Sequence, residues 1–166
     1  MPEFEIGLGV KEINGLIREL ERYNRKLDKA ANRIVRELAL EAKNDMTVAL
    51  ASIVDKDGNV RASVRGKSYE NPATISLTGD QAAYLEFGTG VIGRNSPHEL
   101  AGQVGWEYCV GPKIRTFKNG RIGWLYYDNS NRHYRITSGI AAQNIVFNAA
   151  RNTRYRVKDV VKGALG

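Results

Sequence analysis

The chain has 166 residues, a net charge of +7 and 42% apolar residues, a composition that fits one globular domain with an ordinary hydrophobic core. No run reaches the ~18 consecutive apolar residues of a membrane span, and no basic segment followed by an apolar stretch opens the chain, so neither a span nor signal-peptide export is expected. Cys109 stands alone, which excludes an internal disulfide and a cysteine-built zinc site and predicts folding in a reducing cytoplasm.

From Val10 to about Ser52 apolar residues recur every three or four positions: Val10, Ile13, Leu16, Ile17, Leu20, Leu27, Ala31, Ile34, Val35, Leu38, Ala42, Met46 and Ala49. Charged residues fill the gaps, the pattern of an amphipathic helix. One helix of that length would run roughly 60 Å at 1.5 Å per residue, beyond the ~30 Å of a compact domain. Either it breaks around Tyr23–Asp28, or it protrudes with an apolar stripe in need of a cover. Both outcomes suit an assembly protein better than a catalyst.

Strands follow. Lys56-Asp57-Gly58-Asn59 reads as a turn between Ser52–Val54 and Val60–Val64, and Ala73–Thr78 alternates until Gly79. Gly88–Pro112, with its scattered glycines and Pro97, reads as loop. Asn119-Gly120 between Lys113–Phe117 and Arg121–Tyr127 is the clearest hairpin signal, and Tyr134–Thr137 is a further short strand. From Ala141 the helical period returns through Ala142, Val146, Ala149, Thr153, Val157, Val160 and Ala164. The expected fold is therefore α+β: a long N-terminal helical region, a small antiparallel sheet with hairpins, and a C-terminal helix packed on the sheet. Ile34, Leu38, Val146 and Val157 are its expected core contacts. Residues 1–166 form one domain in this reading, with a loop and hairpin insertion at about 91–134.

The positive charge is concentrated late in the chain. Residues 1–52 balance to zero, whereas 91–140 and 141–166 each contribute +4. Arg151, Arg154, Arg156, Lys158 and Lys162 on the last helix form a basic set that would face an interface or DNA, or simply water. Between Trp106 and Arg135, aromatics (Trp106, Tyr108, Phe117, Trp124, Tyr126, Tyr127, Tyr134) alternate with Lys and Arg. Single-strand nucleic-acid binders use such a mixture for stacking and phosphate neutralisation. Aromatics on a hairpin more commonly pack a sheet face or a subunit contact.

Signals for enzymatic chemistry are weak. Gly88-Thr89-Gly90-Val91-Ile92-Gly93 spells G-x-G-x-x-G, but Arg94-Asn95-Ser96-Pro97 follows it and no βαβ pattern surrounds it, so a backbone turn is expected in place of a dinucleotide site. Gly66-Lys67-Ser68 imitates the end of a phosphate loop, with Arg61 where the upstream glycine belongs. His98 and His133 lack metal-ligand spacing and are expected as surface or loop residues. No Ser or Thr has a recognisable base beside it. No enzyme, cofactor or metal is expected.

The string Ala82-Ala83-Tyr84-Leu85-Glu86-Phe87-Gly88-Thr89-Gly90 resembles the Y-x-E-F-G-T signature of tail-completion, or head–tail joining, proteins of long-tailed phages, the group that includes the lambda-type minor tail protein Z. Tyr84, Glu86, Phe87, Gly88, Thr89 and Gly90 carry that signature. The upstream helix through Ala30-Ala31 and Ile34-Val35 resembles the family's long helix. Ser96-Pro97-His98, Gly105-Trp106-Glu107-Tyr108 and Gly123–Tyr127 resemble an insertion found in one branch, and Thr137-Ser138-Gly139 leading to Phe147-Asn148-Ala149 resembles its closing motif. Asn44–Val48 stands where the family often has Pro-x-x-Thr-Gly-x-Leu, and Asn144-Ile145 where it often has Pro-Phe.

The resemblance implies a virion component at the head-proximal end of the tail, assembled in the host cytoplasm into a homo-oligomeric ring, with six copies suggested by the family alone. Its partners would be the tail-tube and head-connector proteins, with non-specific DNA contact and no membrane. Glu86 would pair with a nearby basic group while Phe87 anchors under the sheet. The alternative reading is a basic nucleic-acid-binding protein working through the aromatic hairpin. A small regulatory module, as in toxin–antitoxin pairs, rests on size and charge alone.

Overall fold

The computed structural model describes residues 9–53, 62–68, 72–108, 114–128 and 132–165; the expected turn at Lys56–Asn59, together with Cys109 and Lys113, lies outside them. Helix α1 spans Val10–Ile53, strands β1 and β2 span Ser63–Ser68 and Thr74–Thr78, and two short helices follow, α2 (Ala82–Phe87) and α3 (Gly90–Asn95). Strands β3 (Arg115–Thr116), β4 (Ile122–Asp128), β5 (His133–Thr137) and β6 (Gly139–Ile140) lead into helix α4, Ile145–Leu165. The architecture is α+β, with a long N-terminal helix, small antiparallel sheets and a C-terminal helix.

Helix α1 does not break. Its 44 residues contain no proline and one glycine, Gly15, so nothing in the backbone chemistry interrupts the ladder. At 1.5 Å per residue it is about 66 Å long. Residues 9–29 are exposed throughout, and burial begins near Ile34. Ser52 and Ile53, expected in a strand, continue the helix instead. Three alternating residues are too few to overrule a helix already propagating.

The expected single sheet is two. β1 and β2 pair antiparallel with Val64 opposite Leu77, while β3, β4 and β5 form a separate antiparallel sheet. The Asn119-Gly120 hairpin joins β3 to β4 as expected, with Arg115 opposite Gly123. Helix α4 runs antiparallel along α1: Asn152 Nδ2 donates to Asp45 at 3.3 Å, and Arg156, one turn further on, reaches both Asp45 (3.3 Å) and Glu41 (3.5 Å), one turn further back.

The core lies where the three helices meet. Met46 and Leu50 of α1, Leu85 of α2, and Ile145 and Ala149 of α4 are buried together, with Val64, Ile75, Leu77 and Val146 packed against them. The expected core residues were displaced from this centre. Ile34, Leu38 and Val146 are only half-buried, and Val157 is exposed at 39% while Val160 is buried. The α4 face turned to α1 runs through Ala149, Asn152, Arg156 and Val160, so polar residues occupy positions that apolar periodicity assigns to neighbours.

Candidate functional site

The signature string Tyr84–Gly90 forms the joint between α2, α3 and the start of α4. Leu85 faces the core, so Glu86, the next residue on the same short helix, turns towards the first turn of α4. The residue is only 7% exposed. Oε2 accepts the Val146 N–H at 2.7 Å, and Oε1 accepts the Phe147 N–H at 2.9 Å. The carbonyls of Leu85 and Glu86 accept the N–H groups of Gln143 (2.8 Å) and Asn144 (3.3 Å). A helix start leaves such donors without intrahelical partners and carries partial positive charge. Glu86 thus caps a helix sixty residues later in the chain. Asn144, the local capping position, has φ +53°, and its side-chain amide turns back to the Ala142 carbonyl.

His98 completes the joint. It lies in the loop after α3, as its spacing leads one to expect, but it is buried, 4% exposed, and is not a surface histidine. Nδ1 accepts the Leu100 N–H at 3.0 Å, which leaves Nε2 to donate to Glu86 Oε1 at 3.3 Å. The His98 backbone N–H donates to the Tyr108 hydroxyl at 2.8 Å. Its ring lies between Phe87 (4.7 Å between ring centres) and Phe147 (5.3 Å). Phe87 in turn stacks on Trp106 at 5.1 Å, and Trp106 Nε1 donates to the Gly88 carbonyl at 3.1 Å. The nearby basic group expected beside Glu86 is the His98 imidazole, while Phe87, expected under the sheet, packs between His98 and Trp106.

The glycines serve backbone geometry. Gly88 has φ +78° and ψ 171°, a combination essentially confined to glycine. Gly90 has φ +67°, and a Cβ there would stand 2.7 Å from both the Ser138 carbonyl oxygen and the Trp124 ring. Thr89 and Gly90 pair as isolated bridges with Ile140 and Gly139, tying the signature to the closing motif. The segment expected as loop contains α3, whose helix begins within the G-x-G-x-x-G string itself. The element before that string is the helix α2, and no strand leads into it.

Two open clefts flank the joint. One, of about 840 Å³, is lined by Tyr84, Leu85, Trp106, Trp124 and Ile140. The other, about 880 Å³, is lined by Leu77, Ala83, Phe87, His98 and Phe147, with Arg151 and Arg154 among its walls. At the joint, both nitrogens of His98 and both oxygens of Glu86 are engaged, and their partners are backbone N–H groups and each other. The geometry holds elements together: the hydrogen-bond partners of the imidazole among the described residues are the Leu100 N–H and the Glu86 carboxylate. Among the described residues no group of three or more His, Cys, Asp or Glu could hold a metal ion, and no helix is long and apolar enough to cross a membrane.

The basic set on α4 divides. Arg156 is engaged by Glu41 and Asp45, and the Arg151 guanidinium lies 5.8 Å from the Phe147 ring centre. Arg154, Lys158 and Lys162 face solvent. In the hairpin region Trp124 is half-buried against Gly90, whereas Tyr126, Tyr127 and Tyr134 are exposed by 41%, 47% and 69%. His133 is exposed at the start of β5. Sequence reasoning missed His98. The signal that could have located it is Glu86 itself, a lone carboxylate inside Ala-Ala-Tyr-Leu-Glu-Phe, which demands a buried partner. Comparison of the chain with protein-family models, with curated proteins and with solved structures returned no match.

Proposed function

We propose that the chain is a structural virion protein of a tailed phage, a tail-completion or head–tail joining component that forms a ring at the head-proximal end of the tail. The observation that carries this reading is the use made of the signature residues. Glu86, Phe87, Gly88 and Gly90 are all spent on joining α2, α3 and α4, as expected of a motif whose role is architectural. The long uncovered stretch of α1 supports the same reading, since a helix with an exposed apolar stripe calls for a neighbouring molecule. Neither feature requires a cofactor or turnover. The neighbours would be further copies of this chain, the tail tube and the head connector.

Nucleic-acid binding is the competing reading, favoured by the exposed Tyr126, Tyr127 and Tyr134 beside Arg132 and Arg135. Electron microscopy of the purified protein, alone and mixed with tails lacking their completion protein, tests the first reading; rings or decorated tail ends are expected. Fluorescence titration with oligonucleotides at low and physiological salt tests the second. Binding through phosphates alone disappears steeply with salt. Stacking survives it and loses ~1–3 kcal/mol per aromatic removed, so tight salt-resistant binding abolished by Tyr126→Ala would overturn the virion reading.

A further inference from the structure

The part of α1 that extends past the body carries a feature its core-facing part lacks. Between residues 10 and 27 one set of positions alternates in steps of three and four and is apolar but for one: Val10, Ile17 and Asn24 occupy one set of heptad positions, and Ile13, Leu20 and Leu27 the other. Ala31 and Ile34 continue the repeat. A strict 3–4 alternation over more than three heptads is the pattern of helices that wind around each other. Every residue from 10 to 27 is exposed, with Val10 at 76%, Leu20 at 65% and Leu27 at 40%. Helix α4 cannot cover them. Arg156 lies beside Glu41 and Asp45, and the nine residues from Arg156 to Leu165 advance only about 14 Å, ending near Arg33.

The stripe continues the side that α1 turns to the body farther along. At 100° per residue its mean direction lies within about 20° of that of the half-buried Ala42, Ala49 and Ile53, with Met46 and Leu50 to one side. The side covered from Ile34 onward is therefore bare from Val10 to Leu27. We infer that residues 10–34 of α1 associate with the same segment of a second copy, parallel and in register.

Three observations select that occupant. The exposed side chains of the stripe, with Leu16 and Tyr23 at its edge, amount to about 700 Å² per copy, close to the ~800 Å² per partner of a standard interface. Asn24 is the one polar residue among the inward positions, and a single asparagine there fixes register when it meets its own copy. The flank that follows the stripe on one side holds Glu21 and Asp28, while Leu16 and Tyr23 hold the other. Antiparallel helices would set the acidic flanks against each other, whereas parallel ones set each against the apolar flank of the next. Parallel helices in register are related by a twofold axis along the pair, so the contact is isologous and closes on two copies. The pairing stands without the virion reading.

The test uses the full chain. Sedimentation velocity over a range of concentrations should show self-association, weakened about a hundredfold by Leu20→Glu, which would bury an unpaired carboxylate in each copy. Leu20 is exposed in the single chain, so the variant should retain its circular dichroism and melting midpoint. Ile13→Cys in a Cys109→Ser background should oxidise to a covalent dimer, because parallel register places the two positions side by side and antiparallel pairing separates them. Val48→Glu, an exposed substitution on the body, should leave association unchanged. A wild-type chain that stays monomeric at all concentrations overturns the inference. So does an assembly indifferent to Leu20→Glu, which would place the contact in a cleft or on the sheets. Association without the Ile13→Cys crosslink also overturns it.

Discussion

Replacing Glu86 is the sharpest perturbation of the joint. Glu86→Ala removes the acceptor for the Val146 and Phe147 N–H groups and for His98 Nε2 at once. Loss of a helix cap alone costs about 1 kcal/mol. Here the orphaned donors are also shielded from water, and each buried donor left unpaired costs about 1–3 kcal/mol. The relieved desolvation of the carboxylate offsets part of this, so about 3–4 kcal/mol is expected. Glu86→Gln keeps its oxygen for Phe147 and His98 but turns an NH2 group against the Val146 N–H. One charge-assisted bond is lost and a donor meets a donor, for about 2 kcal/mol, or roughly 4–8 °C in a chain of this size. Urea unfolding with an unchanged m value measures both, and hydrogen exchange should show the amides of Val146 and Phe147 exchanging faster in the variants. Glu21→Ala is the reference: its ion pair with Arg25 is 4.0 Å long and exposed, and its loss should fall within about 0.5 kcal/mol. A Glu86→Ala variant as stable as Glu21→Ala would refute the capping argument.

Met46→Ala, at 2% exposure in the centre of the core, should cost about 2–5 kcal/mol by urea unfolding, and half-buried Leu38→Ala clearly less. Gly90→Ala should lower the melting midpoint by several degrees, since the new Cβ strains a backbone at φ +67° and presses on Ser138 and Trp124. The same variant should leave no nucleotide affinity to lose, because a thermal shift with NAD or ATP is not expected even in the wild type. Arg156→Ala should cost about 1 kcal/mol or less, with the difference shrinking in high salt, because the guanidinium is 43% exposed beside Glu41 and Asp45.

The parts of the fold legible in the sequence are those set by local chemistry. The helical character of α1 follows from its 3–4 spacing, which left a break at Tyr23–Asp28 open, and the β3–β4 hairpin follows from Asn119-Gly120. What was misread depends on partners distant in the chain. Helix α4 starts at Ile145, four residues after the expected Ala141, because its cap is Glu86 and no neighbouring residue announces it. Helix α3 was hidden by Gly90 and Gly93, which favour a loop in isolation. In the fold those glycines are required by the close approach of Trp124 and Tyr108. His98 carries no local signal at all, and only the unmet charge of Glu86 implies it. Val157 shows the limit of periodicity: it shares the stripe, but α1 meets a face centred one residue earlier, where Arg156 finds its carboxylates.

The distance in sequence between α1 and its cover sets the timetable of synthesis. Met46 and Leu50 leave the ribosome about a hundred residues before Ile145 and Ala149, the side chains that bury them. At about 5–20 residues per second that interval is roughly 5–20 s. Through most of it the inner face of α1 meets only β1, β2 and Leu85, and once made, the Glu86 carboxylate waits about sixty residues for the helix it caps. Chains translated side by side on one message would therefore meet first through their N-terminal helices. The order in which the segments are made gives contact between copies a head start over closure within each.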